Sequence, residues 1–380
     1  MIFADHAATT PVRREALEAM WPYLTGAFGN PSSRHGVGEE AARALAWARD
    51  EVASVVGCRP GDVVFTSGGT EADNLAVLGL SLANPRGRHV VVSPVEHEAV
   101  LASADALRRL HGFEVDEVEV DATGCVAPEA LARVIRPDTT LVSVQLANNE
   151  VGTVNPIAEL AAIAHASGAL MHTDAVQAAG WLPLAIDDLG VDALSLAGHK
   201  VGAPKGTGAL IVRGRLAIEP VLHGGGQERG RRSGTENVAG AVAFATALRL
   251  ADDERAEVAA RVSAATTRFR ELVAAAVPGA VPTGHPTRRL PGTVSYVFPG
   301  TSGEAVLLEL ERRGVVVSSG SACAAGSDEP SHVLTAMGFA PEVAQTAVRF
   351  SFGGEVADAD AATAASALAE AVSAVRGIVP

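Results

Sequence analysis

Between about residues 61 and 212, short apolar runs alternate with segments whose apolar residues recur at helical spacing. The runs are DVVFTS, HVVVSP, EVDEVEV, TLVSVQLAN, ALMHTD, ALSLAG and GALIVRG. The helical segments between them include TEADNLAVLGLSLA, EHEAVLASADALRRL, PEALARVI and PIAELAAIAHAS. Strands with few polar positions are covered on both faces. Strand–helix alternation of this kind predicts an α/β fold around a mostly parallel seven-stranded sheet. Ligands of such sheets sit beyond the carboxyl ends of the strands.

The flanking segments follow other rules. DHAATTPVRREALEAMWPYL enters a helix after Pro11, and GNPSSRHGVGEE (29–40) is too rich in Gly, Pro and Ser to be regular. EEAARALAWARDEVASVVG has helical spacing. After the glycine-rich HGGGQERGRRSGTEN (223–237), a long helical region runs to about residue 277. The remainder alternates TVSYVF, SGEAVLLELERRG, VVVSSG, EPSHVLTAMG and AVRFSFG before a last helix, which predicts a smaller α+β unit. The expected organisation is an arm (1–15), a large unit (16–250) and a small unit (251–380) on which the N-terminal segment packs.

Composition narrows the function. The chain has 380 residues, is 48% hydrophobic and 19% charged, and has the profile of a soluble globular protein. MIFADHAATTPVRR has no apolar core of signal-peptide length, and no run is long enough to span a bilayer. Three scattered cysteines, Cys58, Cys125 and Cys323, indicate a reducing compartment, so the expectation is a cytoplasmic protein without a membrane partner. A net charge of −14 argues against direct nucleic-acid binding.

The chain has 30 basic side chains, yet its only lysines are Lys200 and Lys205, both inside ALSLAGHKVGAPKGTGALIV. Arginine cannot release its proton near neutral pH, whereas a partly buried lysine can, and it then forms Schiff bases. Scarcity alone does not choose between the two lysines or exclude turn residues facing water. Lys200 ends a predicted strand beside His199, and Thr70, His97, Asn149, Asp174 and Gln177 follow other strand ends. Each has a structural alternative: Thr70 with Asp73 and Asp174 with Gln177 fit helix capping boxes, His97 fits a helix start and Asn149 a turn. Their convergence at one end of one sheet favours a site, and favours Lys200.

Pyridoxal phosphate chemistry needs this set. The cofactor takes a lysine for its aldehyde, a carboxylate at the pyridine nitrogen, a flat side chain over the ring and a phosphate cradle. Asp174 fits the carboxylate and His97 the cover. In SGGTEADN two glycines expose backbone N–H groups and Thr70 opens a helix; His199 adds a donor. Other motifs fail. HGGG (223–226) is similar to a lipase oxyanion loop, but no G-x-S-x-G occurs. Walker A, G-x-G-x-x-G, H-E-x-x-H and C-x-x-C patterns are lacking, and no metal site is expected. Cys323 lies among small residues in SSGSACAAGSDEPSHVL, as an exposed nucleophile or sulfur carrier would; Cys58 and Cys125 are read as inert packing.

Ordered matches run nearly end to end: DHAATTP, GNPSSRHG, TSGGTEADN, EHEAV, NNEVGTVNPI, HTDAVQ, GHKVGAPKGTGAL, GGGQERGRRSGTEN, SSGSAC and VRFSFG. By these the chain resembles the cysteine desulfurases among the class V, fold-type I pyridoxal-phosphate enzymes. The resemblance implies that Lys200 holds pyridoxal 5′-phosphate covalently, Asp174 meets the pyridine nitrogen, Gln177 the phenolic oxygen and His97 the ring. It implies that Gly69, Thr70 and His199 bind phosphate, with Thr235 reaching in from the partner of a homodimer. Asn30, Asn149 and Arg349 hold the carboxylate of L-cysteine. Freed Lys200 moves the Cα proton, and Cys323 takes the sulfur as a persulfide for an acceptor or scaffold protein in iron–sulfur assembly or thiolation. His97 is a candidate to remove the Cys323 proton. Ala197 departs from the family's phosphate-binding serine, with Ser195 one strand step away, and Ala203 replaces a more usual glycine. Alternatives on the same fold are selenocysteine lyase, cysteine sulfinate desulfinase and class V aminotransferase, and SSGSAC argues against those that pass no sulfur to the protein. A non-catalytic sulfur-transfer scaffold is opposed by intact Lys200, Asp174, His97 and Cys323.

Overall fold

The computed structural model describes residues 1–84, 86–319 and 329–376. Among the described residues twelve strands run in chain order: β1 Ile2–Phe3, β2 Val63–Thr66, β3 His89–Val92, β4 Glu114–Glu117, β5 Thr139–Ser143, β6 Leu170–Asp174, β7 Ala193–Ala197, β8 Gly208–Val212, β9 Val281–Thr283, β10 Thr293–Val297, β11 Val315–Val316 and β12 Val348–Ser351. The seven apolar runs expected to pair do form one sheet, in the order β2-β8-β7-β6-β5-β3-β4. Its pairs are parallel except those of β8, which is antiparallel to both β2 and β7. The carboxyl ends of the other six therefore share one edge.

Both faces of the sheet are covered except at the edge strand β4, whose residues are half-buried or exposed, which is why the other six strands read as near-continuous apolar runs. Val63, Met171, Leu194 and Ile211 pack to one side with Phe244. Their chain neighbours Val64, Ala193 and Leu210 pack to the other with Leu75 and Leu80. This is the two-residue alternation of a strand with helices above and below.

Helices α1 Arg14–Thr25, α2 Gly36–Val56, α3 Gly69–Ala83 and α4 Glu98–His111 carry the segments that matter for the site. Helix α2 starts three residues ahead of the EE pair that opens its periodic pattern. His35 Nδ1 accepts the Gly38 N–H at 3.2 Å and caps the end. A Cβ on Gly38 would lie 2.4 Å from the Ser33 carbonyl oxygen, so glycine lets the preceding loop fold back against this turn. The long helical region breaks at Glu254 into Val238–Asp253 and Arg255–Ala276.

The later strands β9, β10 and β12 make a three-stranded antiparallel sheet in the order β12-β10-β9. Its core is aromatic: Phe269, Phe298, Phe350 and Phe352 are fully buried or nearly so, and Phe269 meets Phe350 at 4.8 Å between ring centroids. Each such ring contributes about 1.5–3 kcal/mol through burial. The N-terminal strand β1 pairs in parallel with β11, and Ser351 donates its N–H to the Ala4 carbonyl at 2.7 Å. The arm that follows therefore starts from this sheet and crosses toward β7. No helix among the described residues is long and apolar enough to cross a membrane.

Candidate functional site

Beyond the shared carboxyl edge lies a cavity of about 710 Å³, lined by Gly69, Thr70, His97, Asn149, Asp174, Gln177, His199, Lys200 and Arg349 among others. The six strand-end positions singled out in the sequence thus share one wall-to-wall space with the first lysine. Lys205 is exposed in the turn before β8.

The alternative capping roles resolve individually. Helix α3 begins at Gly69 behind Gly68, which has a φ of 154° and supplies no side-chain cap. The Thr70–Asp73 box does not form; Glu71 Oε2 instead accepts the Ser67 N–H at 2.8 Å. Thr70 and Asp73 face the cavity, and the helix N-terminus presents its backbone N–H groups to it. Asp174 does cap locally: its Oδ1 accepts the Val176 N–H at 2.8 Å. His97 caps α4 through Nδ1, which accepts the Ala99 N–H at 3.1 Å, and still lines the cavity.

Lys200 sits in a single 3-10 turn, Gly198–Lys200, that ends β7. Its Nζ donates to the carbonyl of Ala7 and, at 2.9 Å, to that of Ala8. Gln177 Nε2 donates to the same Ala7 oxygen at 2.9 Å. Thr10 binds the His199 carbonyl through both its N–H and its hydroxyl, at 3.0 and 2.8 Å. The arm thus lies across the lysine turn. Arg349, 2% exposed, donates Nη1 to the Asn149 carbonyl at 2.9 Å and Nη2 to Asp5 at 2.7 Å.

The electrostatics follow from burial. Asp174 is 7% exposed, and burial raises its carboxyl, against which the charges of His97 and Lys200 act to lower it. Asp73, 1% exposed, is pushed well up by burial and by the nearby Asp174 charge. Glu96 is pushed well up by burial too, although its Oε1 accepts the Gln145 N–H at 2.7 Å. His199 is brought down to about 4 by burial and by the lysine charges, so it is a neutral imidazole at neutral pH. The Cys58 thiol is pushed up to about 12 by burial and Cys125 is also raised, as inert packing requires.

Two predicted residues lie elsewhere. Asn30 is exposed in the loop before α2, its Oδ1 accepting the Ser32 N–H at 2.9 Å. Thr235 is exposed on a separate cavity of about 230 Å³, shared with Thr66, Ser67 and Glu228. Cys323 lies outside the described residues.

Other residues of the site escaped the sequence analysis. Asp73, Gln145, Glu150 and His332 line the cavity, and Ser331 Oγ donates to Glu150 at 2.5 Å. Behind Asp174, the His172 ring is held between Ser143 Oγ at 2.8 Å and Ser195 Oγ at 2.9 Å. A usable signal existed: Ser143, His172 and Ser195 are polar positions inside otherwise apolar central strands. Ser195 is thereby committed to the sheet interior, and Ala197 lines the cavity with a methyl group.

Known proteins share this fold. The aminotransferase class-V family matches residues 2–362. The cysteine desulfurase IscS of Dictyoglomus turgidum is 43% identical over 353 residues, covering 93% of this chain and 89% of that protein. That of Methanosarcina thermophila is 44% identical over 353 residues, covering 93% and 87%. Among solved structures, a NifS-like protein superposes with a TM-score of 0.91 at 35% identity, covering 98% of this chain and 99% of that one. SspA in complex with cysteine gives 0.81 at 34% identity, covering 93% and 99%. Matched over most of its length in sequence and in fold, the chain belongs to the class-V aminotransferase family, in its cysteine desulfurase branch.

Proposed function

We propose that this cavity binds pyridoxal 5′-phosphate and L-cysteine and that the protein transfers the substrate's sulfur to Cys323. The observation that carries this reading is the placement of Lys200, Asp174, His97 and Arg349 around one cavity at the carboxyl edge of the sheet.

The residues present fit the cofactor. A buried carboxylate, Asp174, suits a protonated pyridine nitrogen, and the imidazole of His97 suits a ring face. The uncapped start of α3 suits a phosphate, and a Cβ on Gly69 would lie 2.8 Å from Val176 Cγ2, so glycine keeps this wall open. When bound, the cofactor supplies an electron sink for the charge left at the substrate Cα. Thr70, the Gly69 backbone and His199 hold its phosphate, Gln177 its phenolic oxygen, and Thr235 extends to the partner's site in a homodimer.

The chain's own groups do the rest. Arg349, with Asn149, binds the substrate carboxylate, a match of planar fork to planar anion. Lys200 Nζ, free once the substrate amine is bound, would take the Cα proton and give it back to Cα after the Cβ–S bond has broken. The Cys323 thiolate attacks the substrate sulfur: an S–S bond forms, the Cβ–S bond breaks, and its electron pair stays on carbon and gains a proton. The products are L-alanine and the Cys323 persulfide, which passes sulfur to an acceptor protein. Residues 16–250 form the cofactor-binding unit and 251–380 the unit that carries Cys323.

Incubation with L-cysteine and reductant should yield equal alanine and sulfide. Lys200→Ala should abolish turnover and the cofactor's covalent absorbance band. Cys323→Ser should keep that band and lose sulfur release. Full turnover in Lys200→Ala would overturn the assignment.

A further inference from the structure

Residues Asp5 to Thr10 connect the two cationic groups of the site. At one end Asp5 Oδ1 accepts from Arg349 Nη2 at 2.7 Å; at the other the carbonyls of Ala7 and Ala8 accept from Lys200 Nζ. The two partners of the ion pair differ in burial: the Arg349 side chain is 2% exposed and that of Asp5 19%. A guanidinium that deep must always have a counter-charge, because removing one partner of a buried pair leaves an uncompensated ion. A carboxylate with that exposure has a route back to water.

We propose that Asp5 is a placeholder for the substrate carboxylate, competing with it for Arg349 and so setting the affinity of the site for amino-acid carboxylates. The inference rests on the reading of Arg349 as the carboxylate anchor. Exchange of one carboxylate for another keeps the charge that Asp5 supplies to the buried guanidinium. The exchange is confined to the Asp5 side chain. The backbone around it is pinned by His6 N–H to the Ser351 carbonyl at 3.0 Å and Ala7 N–H to Ser351 Oγ at 2.8 Å. The Ala7 carbonyl that receives Lys200 therefore stays in place while Asp5 swings out. Specificity follows: a ligand that brings its own carboxylate replaces the charge that Asp5 withdraws, and one without a carboxylate does not.

The test is equilibrium titration of the holoenzyme with L-alanine and with ethylamine, its counterpart lacking the carboxylate, read by the cofactor's visible absorbance. Asp5→Asn keeps an oxygen acceptor for Nη2 but gives up the charge. It should tighten L-alanine about fivefold and leave ethylamine unchanged. Asp5→Ser should act in the same direction, and Asp5→Glu, which restores a carboxylate, should return L-alanine close to the parental value. Unchanged or weaker L-alanine binding in both Asp5→Asn and Asp5→Ser, with Arg349→Gln still weakening it, overturns the competition alone. If Arg349→Gln leaves L-alanine binding intact, the anchor assignment falls and the competition with it. Equal tightening of ethylamine also overturns the proposal, because competition acts only on carboxylates.

Discussion

Ser195 Oγ lies 2.9 Å from His172 Nε2, inside the sheet and away from the cavity. That contact decides what the departure at Ala197 means. The serine one strand step earlier cannot substitute for a phosphate-binding hydroxyl, because its oxygen is held by the imidazole. Ala197→Ser should therefore add a donor where the wall now offers a methyl. We expect cofactor affinity to rise by about three- to tenfold, the worth of one added hydrogen bond. Ser195→Ala should leave cofactor affinity alone but lower stability by about 1–3 kcal/mol, since a buried ring nitrogen loses its partner. Titration of the cofactor-free protein with pyridoxal phosphate, and urea denaturation, separate the two effects.

Gly69 tests the phosphate end from the other side. A methyl group there would meet Val176 Cγ2 at 2.8 Å and Ala197 Cβ at 3.4 Å. Helix propensity favours alanine over glycine by about 1 kcal/mol. Gly69→Ala should thus unfold no earlier than the parent, while its cofactor affinity falls at least about tenfold as the start of α3 is pushed away from Val176. Unchanged affinity would remove this wall from the cofactor site.

The buried titratable groups in and behind the cavity wall act on stability in opposite pH ranges. Burial holds His172 down at about 3 against an ordinary 6.5, so between these values the unfolded chain binds a proton that the folded one refuses. Its contribution is intact above pH 6.5 and is lost as pH falls toward 3. Asp73 and Glu96 are raised, so the folded protein keeps protons that the unfolded chain releases, and their contribution is lost as pH rises from the ordinary carboxylate range. His172→Asn should flatten the acid limb by up to one proton, about 1.4 kcal/mol per pH unit. Asp73→Asn should raise stability at neutral pH and flatten the alkaline limb. Urea denaturation between pH 4 and pH 9 reads both; an Asp73→Asn protein less stable at pH 8 than the parent would refute the sign.

Much of this site was legible because its residues stand at strand ends, where apolar periodicity stops and a polar side chain has to be accounted for. Thr70, His97, Asn149, Asp174 and Lys200 were found that way. Asp73 and Glu96 were not, because a polar residue in a helix or a turn reads as a surface position until the opposing layer is known; His172 was not, although it interrupts an apolar strand. Six of the sheet's seven strands were legible because double coverage removes polar positions, which does not hold for the edge strand β4, but their order was not: only the pairing places β8 antiparallel between β2 and β7. The start of α2 was misplaced because its cap is a histidine and its first turn carries two glycines, a pattern set by close contact with the preceding loop. The single-chain geometry leaves Asn30 and Thr235 outside the main cavity, since sequence motifs carry no information on which surface a loop finally faces.

The loop that ends at Thr235 depends on a buried ion pair. Arg49 donates to both oxygens of Glu228, at 2.7 and 2.8 Å, and also to the Val63 carbonyl at 2.6 Å. The side chains are 11% and 2% exposed, and Glu228 Oε2 also accepts the Phe65 N–H at 3.3 Å. Glu228 and Arg229 have φ of 47° and 61°, an uncommon conformation for residues with side chains, so the loop is held in place by these contacts. Glu228→Gln should lower stability by about 3–5 kcal/mol, because the guanidinium of Arg49 remains buried without its counter-charge. Arg49→Met combined with Glu228→Leu should recover most of that loss, since neither charge is then stranded. The two proteins also separate stability from function. If the pair serves to place Thr235 for the partner's phosphate, the double variant regains its melting temperature but not its cofactor affinity. If the pair serves the fold alone, both return together.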